Sequence, residues 1–444
     1  MKELVQKIKD REAVIGIIGL GYVGLPLAMA FAQKFHVVGY ELNGNIINSL
    51  MEGKSHIGDV NEELQGCLNK TFFPTNNYEI LEKCDFLIIC VPTPLTHEKE
   101  PDLTYIKNAC DTIRKILRKG HFVILESTTY PGTTEDFVKP ILEQDKLISG
   151  IDFGLAYSPE RIDPGSGKKV EDISKIVAGI NQECTEICGM LYETIIEAGI
   201  VEVKDCKTAE AAKIFENIFR NVNIALVNEF ALICEKMGID VWNVIDAATT
   251  KPYGFMPFYP GPGVGGHCIP LDPYYMSYQA KKFGFIPRFI ELSGEINEFM
   301  RFHTLNLVVN GLSKFNLKIH ESRIAVIGLA YKKDISDTRE SPTRKIIEEI
   351  LNRGGSVSLY DPYAEFIEAN GEKYTSEKTI TDALINTDCA IFVTDHLEIK
   401  QMNLCELIKV MRHPVIVDCR NIFKNNPKND IVYLGIGKDN STYT

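Results

Sequence analysis

Although it carries 12 cysteines, the 444-residue chain has no pair spaced as Cys-x-x-Cys. The nearest two, Cys184 and Cys188, lie i,i+4 on an expected helix and have no histidine partners. That pattern gives neither a zinc site nor a disulfide frame. The thiols read as reduced, the protein as cytoplasmic, and no metal is expected. No run of 18 apolar residues occurs, so no transmembrane helix is expected. The opening Met1-Lys-Glu-Leu-Val-Gln-Lys7 lacks the apolar core of a secretion signal. Positive charge is short as well. Lys and Arg number 48 against 60 Asp and Glu, a net charge of −12, which disfavours nucleic acid or a membrane surface as partner. Low-complexity segments are also missing. At 45% hydrophobic and 24% charged residues, the chain reads as an ordinary globular protein too long for one core.

One stretch concentrates unusual chemistry. Gly261-Pro-Gly-Val-Gly-Gly-His-Cys-Ile-Pro-Leu-Asp272 sets glycines and a proline ahead of Cys268. Gly263, Gly265 and Gly266 lack a Cβ, so the backbone can turn where other residues cannot and can approach a ligand closely. The Cys268 thiol could then meet a small molecule directly, with the Asp272 carboxylate nearby. A Gly/Pro surface turn around a buried structural cysteine is the plainer alternative.

The apolar run 14–18 is expected to be a buried parallel strand. Gly19-Leu-Gly21-Tyr22-Val23-Gly24 follows at once, then a helical stretch over 25–34 and a strand over 37–40 that ends in Glu41. A lone G-x-G-x-x-G is weak, but strand, glycine turn, helix, strand and acid in this order form a dinucleotide fingerprint. The turn lets backbone N–H groups and the helix N-terminus face a pyrophosphate. Glu41 can accept both ribose hydroxyls and would repel a 2′-phosphate, which favours NAD over NADP. Further strands are expected at 86–91, 122–125 and 153–156, separated by helices such as 105–118. Ligands of such sheets lie beyond the strand C-termini. Those ends hold Thr93, Thr128 and the run Ser158-Pro-Glu160-Arg161, with ordinary loop chemistry as the alternative for each.

A long helix is expected over 208–237, ending at the C-cap Gly238. It is apolar nearly all round, which predicts burial. Lys213 and Asn217 are i,i+4 and share one face. A lysine on a buried helix is costly unless it is paired or functional, or snorkels to the surface. Helices over 241–248 and 289–312 complete a helical middle suited to dimerisation. Beyond a linker near 313–321, strands are expected at 324–328, 357–360, 390–394, 415–418 and 431–434. The first of them ends in a segment with Lys332, Lys333, Arg339 and Ser341, groups able to hold phosphate or sugar.

With these motifs assembled, the chain resembles the UDP-glucose/GDP-mannose dehydrogenase family over nearly its whole length. The resemblance rests on Gly19-x-Gly21-x-x-Gly24, Val91-Pro-Thr93-Pro94, Ser158-Pro-Glu160-Arg161, Lys213 with Asn217, Gly265-Gly-His-Cys268 with Asp272, and 332–339. The expected fold class is α/β: two Rossmann-like, doubly wound parallel-sheet domains joined by a long central helix and a helical dimerisation region. The domains are an NAD-binding domain over 1–204, a helical domain with the catalytic loop over 205–315, and a UDP-sugar-binding domain over 316–444. The resemblance implies oxidation of a primary alcohol to a carboxylate with two NAD, in a homodimer or higher homo-oligomer. It assigns Cys268 as nucleophile, with Lys213 and Asn217 stabilising negative charge on the substrate oxygen. Asp272, Glu160 and Thr128 take proton transfer and hydrolysis. It gives Gly19, Gly21, Tyr22, Val23, Gly24, Glu41, Thr93, Thr128 and Arg339 to NAD. Glu160, Arg161, Lys213, Asn217, Tyr259, Gly265 and Lys332 are assigned to the UDP-sugar. His267 could lower the thiol pKa.

Two departures bear on the substrate. Glucose-type members read Pro-Glu-Phe-Leu-Arg-Glu where this chain reads Pro159-Glu-Arg-Ile-Asp-Pro164, so the second glutamate's role is absent or moved to Asp163. They read Gly-Gly-Ser-Cys-Phe-Pro-Lys-Asp against Gly265-Gly-His-Cys-Ile-Pro-Leu-Asp272 here. Both changes resemble the branch acting on N-acetylated sugars, and the run Lys251–Pro260 favours UDP-GlcNAc. UDP-ManNAc, UDP-GalNAc and UDP-glucose are the alternatives. A β-hydroxyacid dehydrogenase and a non-catalytic nucleotide sensor are the readings from outside the family.

Overall fold

A computed structural model describes residues 1–57, 60–96, 98–162, 167–266, 269–423 and 431–440. Asp163, Pro164, His267 and Cys268, singled out in the sequence, lie outside the described residues. The chain forms two compact units: 1–216 with 274–286, and 217–273 with 287–444. The helical segment 205–315 contributes to both.

The first unit holds an eight-stranded sheet: β1 Val14–Ile18, β2 His36–Tyr40, β3 Phe72–Thr75, β4 Phe86–Ile89, β5 Phe122–Leu125, β6 Gly154–Tyr157, β7 Lys175–Gly179 and β8 Ile200–Glu202. The order is β3-β2-β1-β4-β5-β6-β7-β8. Strands β1 to β6 run parallel, and β7 turns antiparallel to β6. Strands β4, β5 and β6 are buried along their whole length, as a sheet covered on both faces requires.

The second unit repeats the plan with β9 Arg323–Ile327, β10 Ser356–Tyr360, the hairpin β11 Phe366–Ala369 and β12 Glu372–Thr375, then β13 Cys389–Phe392, β14 Val415–Asp418 and β15 Val432–Gly435. Its parallel sheet is ordered β10-β9-β13-β14-β15. The repetition extends to the first turn. Gly19 and Gly328 both take positive φ, +93° and +94°, and donate to Tyr40 and Tyr360 carbonyls across the first strand pair.

The 32-residue central helix, Cys206–Met237, departs from the expected burial. Phe219, Leu226, Phe230, Ile233 and Met237 are exposed, whereas Glu210, Lys213, Asn217, Asn221 and Asn228 are buried. At 3.6 residues per turn the two sets fall on opposite faces. Apolar composition alone predicts a helix buried all round, whereas here the largest apolar side chains are exposed and the buried face mixes these polar residues with Ile214, Ile218, Ala225 and Ala231. Among the described residues no helix is long and apolar enough to cross a membrane, and no group of three or more His, Cys, Asp or Glu is placed to hold a metal ion. Eleven free cysteines are described, and only Cys405 is exposed.

Glu210 ties this helix to the turn after β5. Its carboxylate accepts the N–H groups of Gly132 (2.6 Å) and Thr134 (2.8 Å) and the Thr134 hydroxyl (2.7 Å). Burial pushes its pKa up to about 7 against those hydrogen bonds. The folded chain therefore keeps a proton that the unfolded chain releases from its ordinary pKa near 4.5, and stability falls as pH rises through this window. Relative to Glu210→Gln, wild type is expected to lose ~3 kcal/mol between about pH 4.5 and 7, read by urea unfolding. Parallel pH curves for the two proteins would contradict this.

Candidate active site

The dinucleotide fingerprint is built in the first unit. A Cβ on Gly24 would lie 1.9 Å from the Gly19 carbonyl oxygen, and one on Gly19 2.8 Å from that of Cys90. These two glycines serve the close passage of strand, turn and helix. Gly21 differs: a Cβ there would meet nothing within 4 Å, so its backbone faces open space. The helix Gly24–Ala32 begins at Val23 with no side-chain cap, and Tyr22 and Val23 are half-buried beside it. An uncapped helix N-terminus behind an open glycine suits a pyrophosphate. Half-buried Glu41 accepts Leu20 N–H through one oxygen and Asn43 N–H through the other, each at 3.0 Å. These residues fit NAD.

In the second unit the corresponding acid, Asp361, is closed. It accepts the N–H groups of Leu329 (2.6 Å), Ala330 (3.0 Å), Tyr363 and Ala364, and pairs with His396 Nε2 at 3.0 Å. Burial would raise this carboxyl, but His396 and the backbone donors hold it below its ordinary value. The repeated turn thus carries one open acid and one saturated acid.

Thr93 and Thr128 lie half-buried at the ends of β4 and β5, and the Thr93 carbonyl accepts the Tyr275 hydroxyl at 2.5 Å. Glu160 follows β6. One oxygen accepts the N–H groups of Arg161 (2.6 Å) and Ile162 (2.7 Å), and the other accepts Lys175 Nζ at 3.1 Å. Lys175 also pairs closely with Glu126, whose second oxygen accepts the Tyr192 hydroxyl at 2.6 Å. All four side chains are buried. Burial raises Glu126. In Glu160 the same penalty is outweighed by Lys175 and the backbone donors, so its carboxyl lies below the ordinary range. Environments that separate two carboxyl pKa values in this way keep Glu160 ionised. Arg161 spans from this loop to Glu216 (2.6 Å) and the Ser174 carbonyl (2.8 Å). Lys213 is 7% exposed and has no ion-pair partner among the described residues, which is costly for a cation unless a ligand uses it.

The second unit holds Asn217, Tyr259, Gly265, Asp272, Lys332 and Arg339. Asn217 donates to Asp272 at 2.5 Å, joining the central helix to the far end of the glycine stretch. The glycines in that stretch are tight against protein. A Cβ on Gly265 would fall 2.7 Å from Tyr331 Cβ and 2.8 Å from Pro342, and one on Gly266 2.9 Å from the Tyr331 ring. Their lack of Cβ thus serves the packing of the loop on 331–342. Tyr259 stacks on Trp242 at 5.6 Å and donates to Asp246 at 3.2 Å. Arg339 forms a fork with Asp337 at 2.9 and 2.7 Å, and Lys332 is half-buried.

Three models of one protein family match successive parts of the chain. Residues 13–196 match the NAD binding domain of the UDP-glucose/GDP-mannose dehydrogenase family, 207–299 its central domain and 325–425 its UDP binding domain. The chain belongs to this family. It is an oxidoreductase of the UDP-sugar dehydrogenase type, and NAD is its cofactor. A UDP-N-acetyl-D-mannosamine dehydrogenase of Pyrococcus horikoshii is 38% identical over 430 residues, covering 96% of this chain and 99% of that protein. A UDP-N-acetyl-D-glucosamine 6-dehydrogenase of Pseudomonas aeruginosa is 38% identical over 398 residues, covering 88% and 92%. A solved structure of the Pyrococcus UDP-D-ManNAc dehydrogenase matches with a TM-score of 0.89 at 36% identity, over 96% of this chain and 100% of that one.

Sequence reasoning missed Lys175, because a charged residue opening a buried strand reads as a loop until its two carboxylates are seen. It also passed over Glu210, Asn221 and Asn228, whose signal was their polarity at helical spacing among apolar neighbours. Removing Lys175 strands Glu126 and Glu160 in the interior. Lys175→Met is expected to lose about 3–5 kcal/mol of unfolding free energy, with Lys175→Arg losing less. A loss below about 1 kcal/mol in Lys175→Met would show that the pair needs no cation.

Proposed function

We propose that the chain is an NAD-dependent 6-dehydrogenase of a UDP-N-acetylhexosamine, taking the C6 alcohol to the carboxylate. One observation carries the reading most. Asn217 holds Asp272, the acid four residues after Cys268, and lies one turn beyond Lys213, which has no ion pair among the described residues.

The first oxidation turns the alcohol into an aldehyde, with loss of a hydride from C6 and a proton from its oxygen. The Cys268 sulfur then adds to the carbonyl carbon, giving a thiohemiacetal whose C–H can leave as a second hydride. Water cleaves the resulting thioester and releases the thiol and the carboxylate. NAD⁺, when bound, supplies the hydride acceptor for each oxidation. Lys213 and Asn217 stabilise negative charge on the C6 oxygen. Asp272 holds the proton-transfer partner. Glu160, kept ionised by Lys175, suits the acceptance of a proton from the hydrolytic water, with Thr128 beside it in role. Lys332 is taken for the UDP part of the substrate and Arg339 for NAD.

Two sugars compete. The run Lys251–Pro260 favours UDP-GlcNAc, and the Pseudomonas relative is named for it. The Pyrococcus relative, named for UDP-ManNAc, is matched over more of the chain. A panel of UDP-GlcNAc, UDP-ManNAc, UDP-GalNAc and UDP-glucose is expected to give its highest kcat/KM on an N-acetylated sugar. Two NADH per sugar are expected, and one NADH would end the double-oxidation reading. A preference for UDP-glucose would end the N-acetylhexosamine reading.

We infer a homodimer or higher homo-oligomer, a reading that the exposed face of the central helix supports. Phe219, Leu226, Phe230, Ile233 and Met237, with Phe289, Leu292 and Phe299 on the helix Arg288–Ser313, are large apolar side chains left in water, which a second copy would cover. Sedimentation is expected to show dimers or larger assemblies for wild type and monomers for Leu226→Glu with Phe230→Glu. Monomeric wild type would refute the assignment.

A further inference from the structure

Three asparagines on the buried face of the central helix each hold part of the glycine stretch. Asn228 Oδ1 accepts Gly261 N–H at 2.9 Å, Asn221 Nδ2 donates to the Ile269 carbonyl at 3.0 Å, and Asn217 reaches Asp272. Spacings of four and seven keep all three on one face. Asparagine is a poor residue for a helix interior, and an unpaired buried amide costs about 1–3 kcal/mol. These amides are paired. Asn297 Nδ2 donates to the Asn221 carbonyl at 3.1 Å, and its Oδ1 accepts Asn228 Nδ2 at 2.9 Å. The Ser293 hydroxyl donates to Asn221 Oδ1 at 2.8 Å. The result is one continuous chain of groups, Gly261–Asn228–Asn297–Asn221–Ile269, which ties the start of the loop to the residue after Cys268. On its other side the loop meets Tyr331 and Pro342 through glycines that admit no Cβ.

We propose that Asn221 and Asn228, braced by Asn297 and Ser293, are positioning residues that hold the loop backbone at Gly261 and Ile269, on either side of Cys268 in the sequence. A buried amide network could serve stability alone, but its two free ends are both spent on backbone groups of this one loop. An apolar helix face would pack the two helices without them. Ile269 is the nearest described residue after the thiol, so its carbonyl is the point at which a tether most directly limits the sulfur. A nucleophile misplaced by a fraction of an ångström loses rate steeply. The consequence for turnover rests on Cys268 being the nucleophile; the placement of the loop does not.

The test uses the full chain carrying Cys405→Ser, which removes the exposed thiol described outside the loop. It compares this protein with Asn221→Leu and Ser293→Ala. Cys268 labelling by iodoacetamide is followed by peptide mass spectrometry, together with kcat, KM for the UDP-N-acetylhexosamine, and NAD affinity. In Asn221→Leu, labelling is expected to speed up about fivefold or more and kcat to fall about tenfold or more, while KM shifts less than about threefold. NAD affinity is expected to hold, because the fingerprint residues lie in the other unit. Ser293→Ala keeps the amide but removes its brace, and is expected to move labelling and kcat the same way by about threefold. Labelling within about twofold of the parent in both variants overturns the proposal, whatever happens to kcat. If Asn221→Leu does not fold, Ser293→Ala decides by the same limit. Cys268→Ser separates the two levels: full turnover there refutes the nucleophile, while the labelling rates decide the tether.

Discussion

The central helix buries a row of polar side chains among smaller apolar ones, and the glycine stretch is held by that row. Glu210, Lys213, Asn217, Asn221 and Asn228 recur at spacings of three, four and seven on its buried face, while large apolar side chains occupy the exposed one. A buried polar face stabilises a fold only if each group is matched. Glu210 is matched by the turn after β5, and the asparagines by the glycine stretch and the helix Arg288–Ser313. Lys213 alone has no ion pair among the described residues. In the proposed reaction Lys213 is the group that stabilises negative charge on the C6 oxygen, a role that would offset its cost in folding.

The duplicated first turn divides labour by saturation. Glu41 carries one backbone donor on each oxygen and remains half-buried, so it keeps capacity for a ribose. Asp361 accepts four backbone N–H groups and a histidine and has none to spare. Two sheets of one plan thus carry one dinucleotide fingerprint. The carboxylate pair Glu126 and Glu160 shows the same economy, since one lysine serves both and leaves Glu160 ionised.

Much of this was legible in the sequence. The strand runs at 14–18, 122–125 and 415–418 correspond to β1, β5 and β14 residue for residue, because continuous apolar runs between turn residues leave few alternatives. The fingerprint was readable because its spacing is fixed by a turn that only glycine can make. What stayed hidden was tertiary. Strand β3 contains Pro74 and lies at the sheet edge, β8 has three residues, and β7 opens with a lysine; each defeats a periodicity argument. The burial of the central helix was hidden for a related reason: composition gives the amount of apolar surface but not which face is covered. Gly263, Gly265 and Gly266 were read as allowing close approach of a ligand, and what approaches them among the described residues is Tyr331 and Pro342.

In the proposed reaction the Cys268 sulfur becomes bonded to the sugar's terminal carbon. Rapid acid quench during turnover, followed by mass spectrometry of the peptide containing Cys268, tests it most directly. A thioester intermediate predicts a fraction of that peptide heavier by the acyl group of the oxidised UDP-sugar. Only the unmodified peptide, recovered under conditions in which a thioester standard survives and product is accumulating, would contradict it.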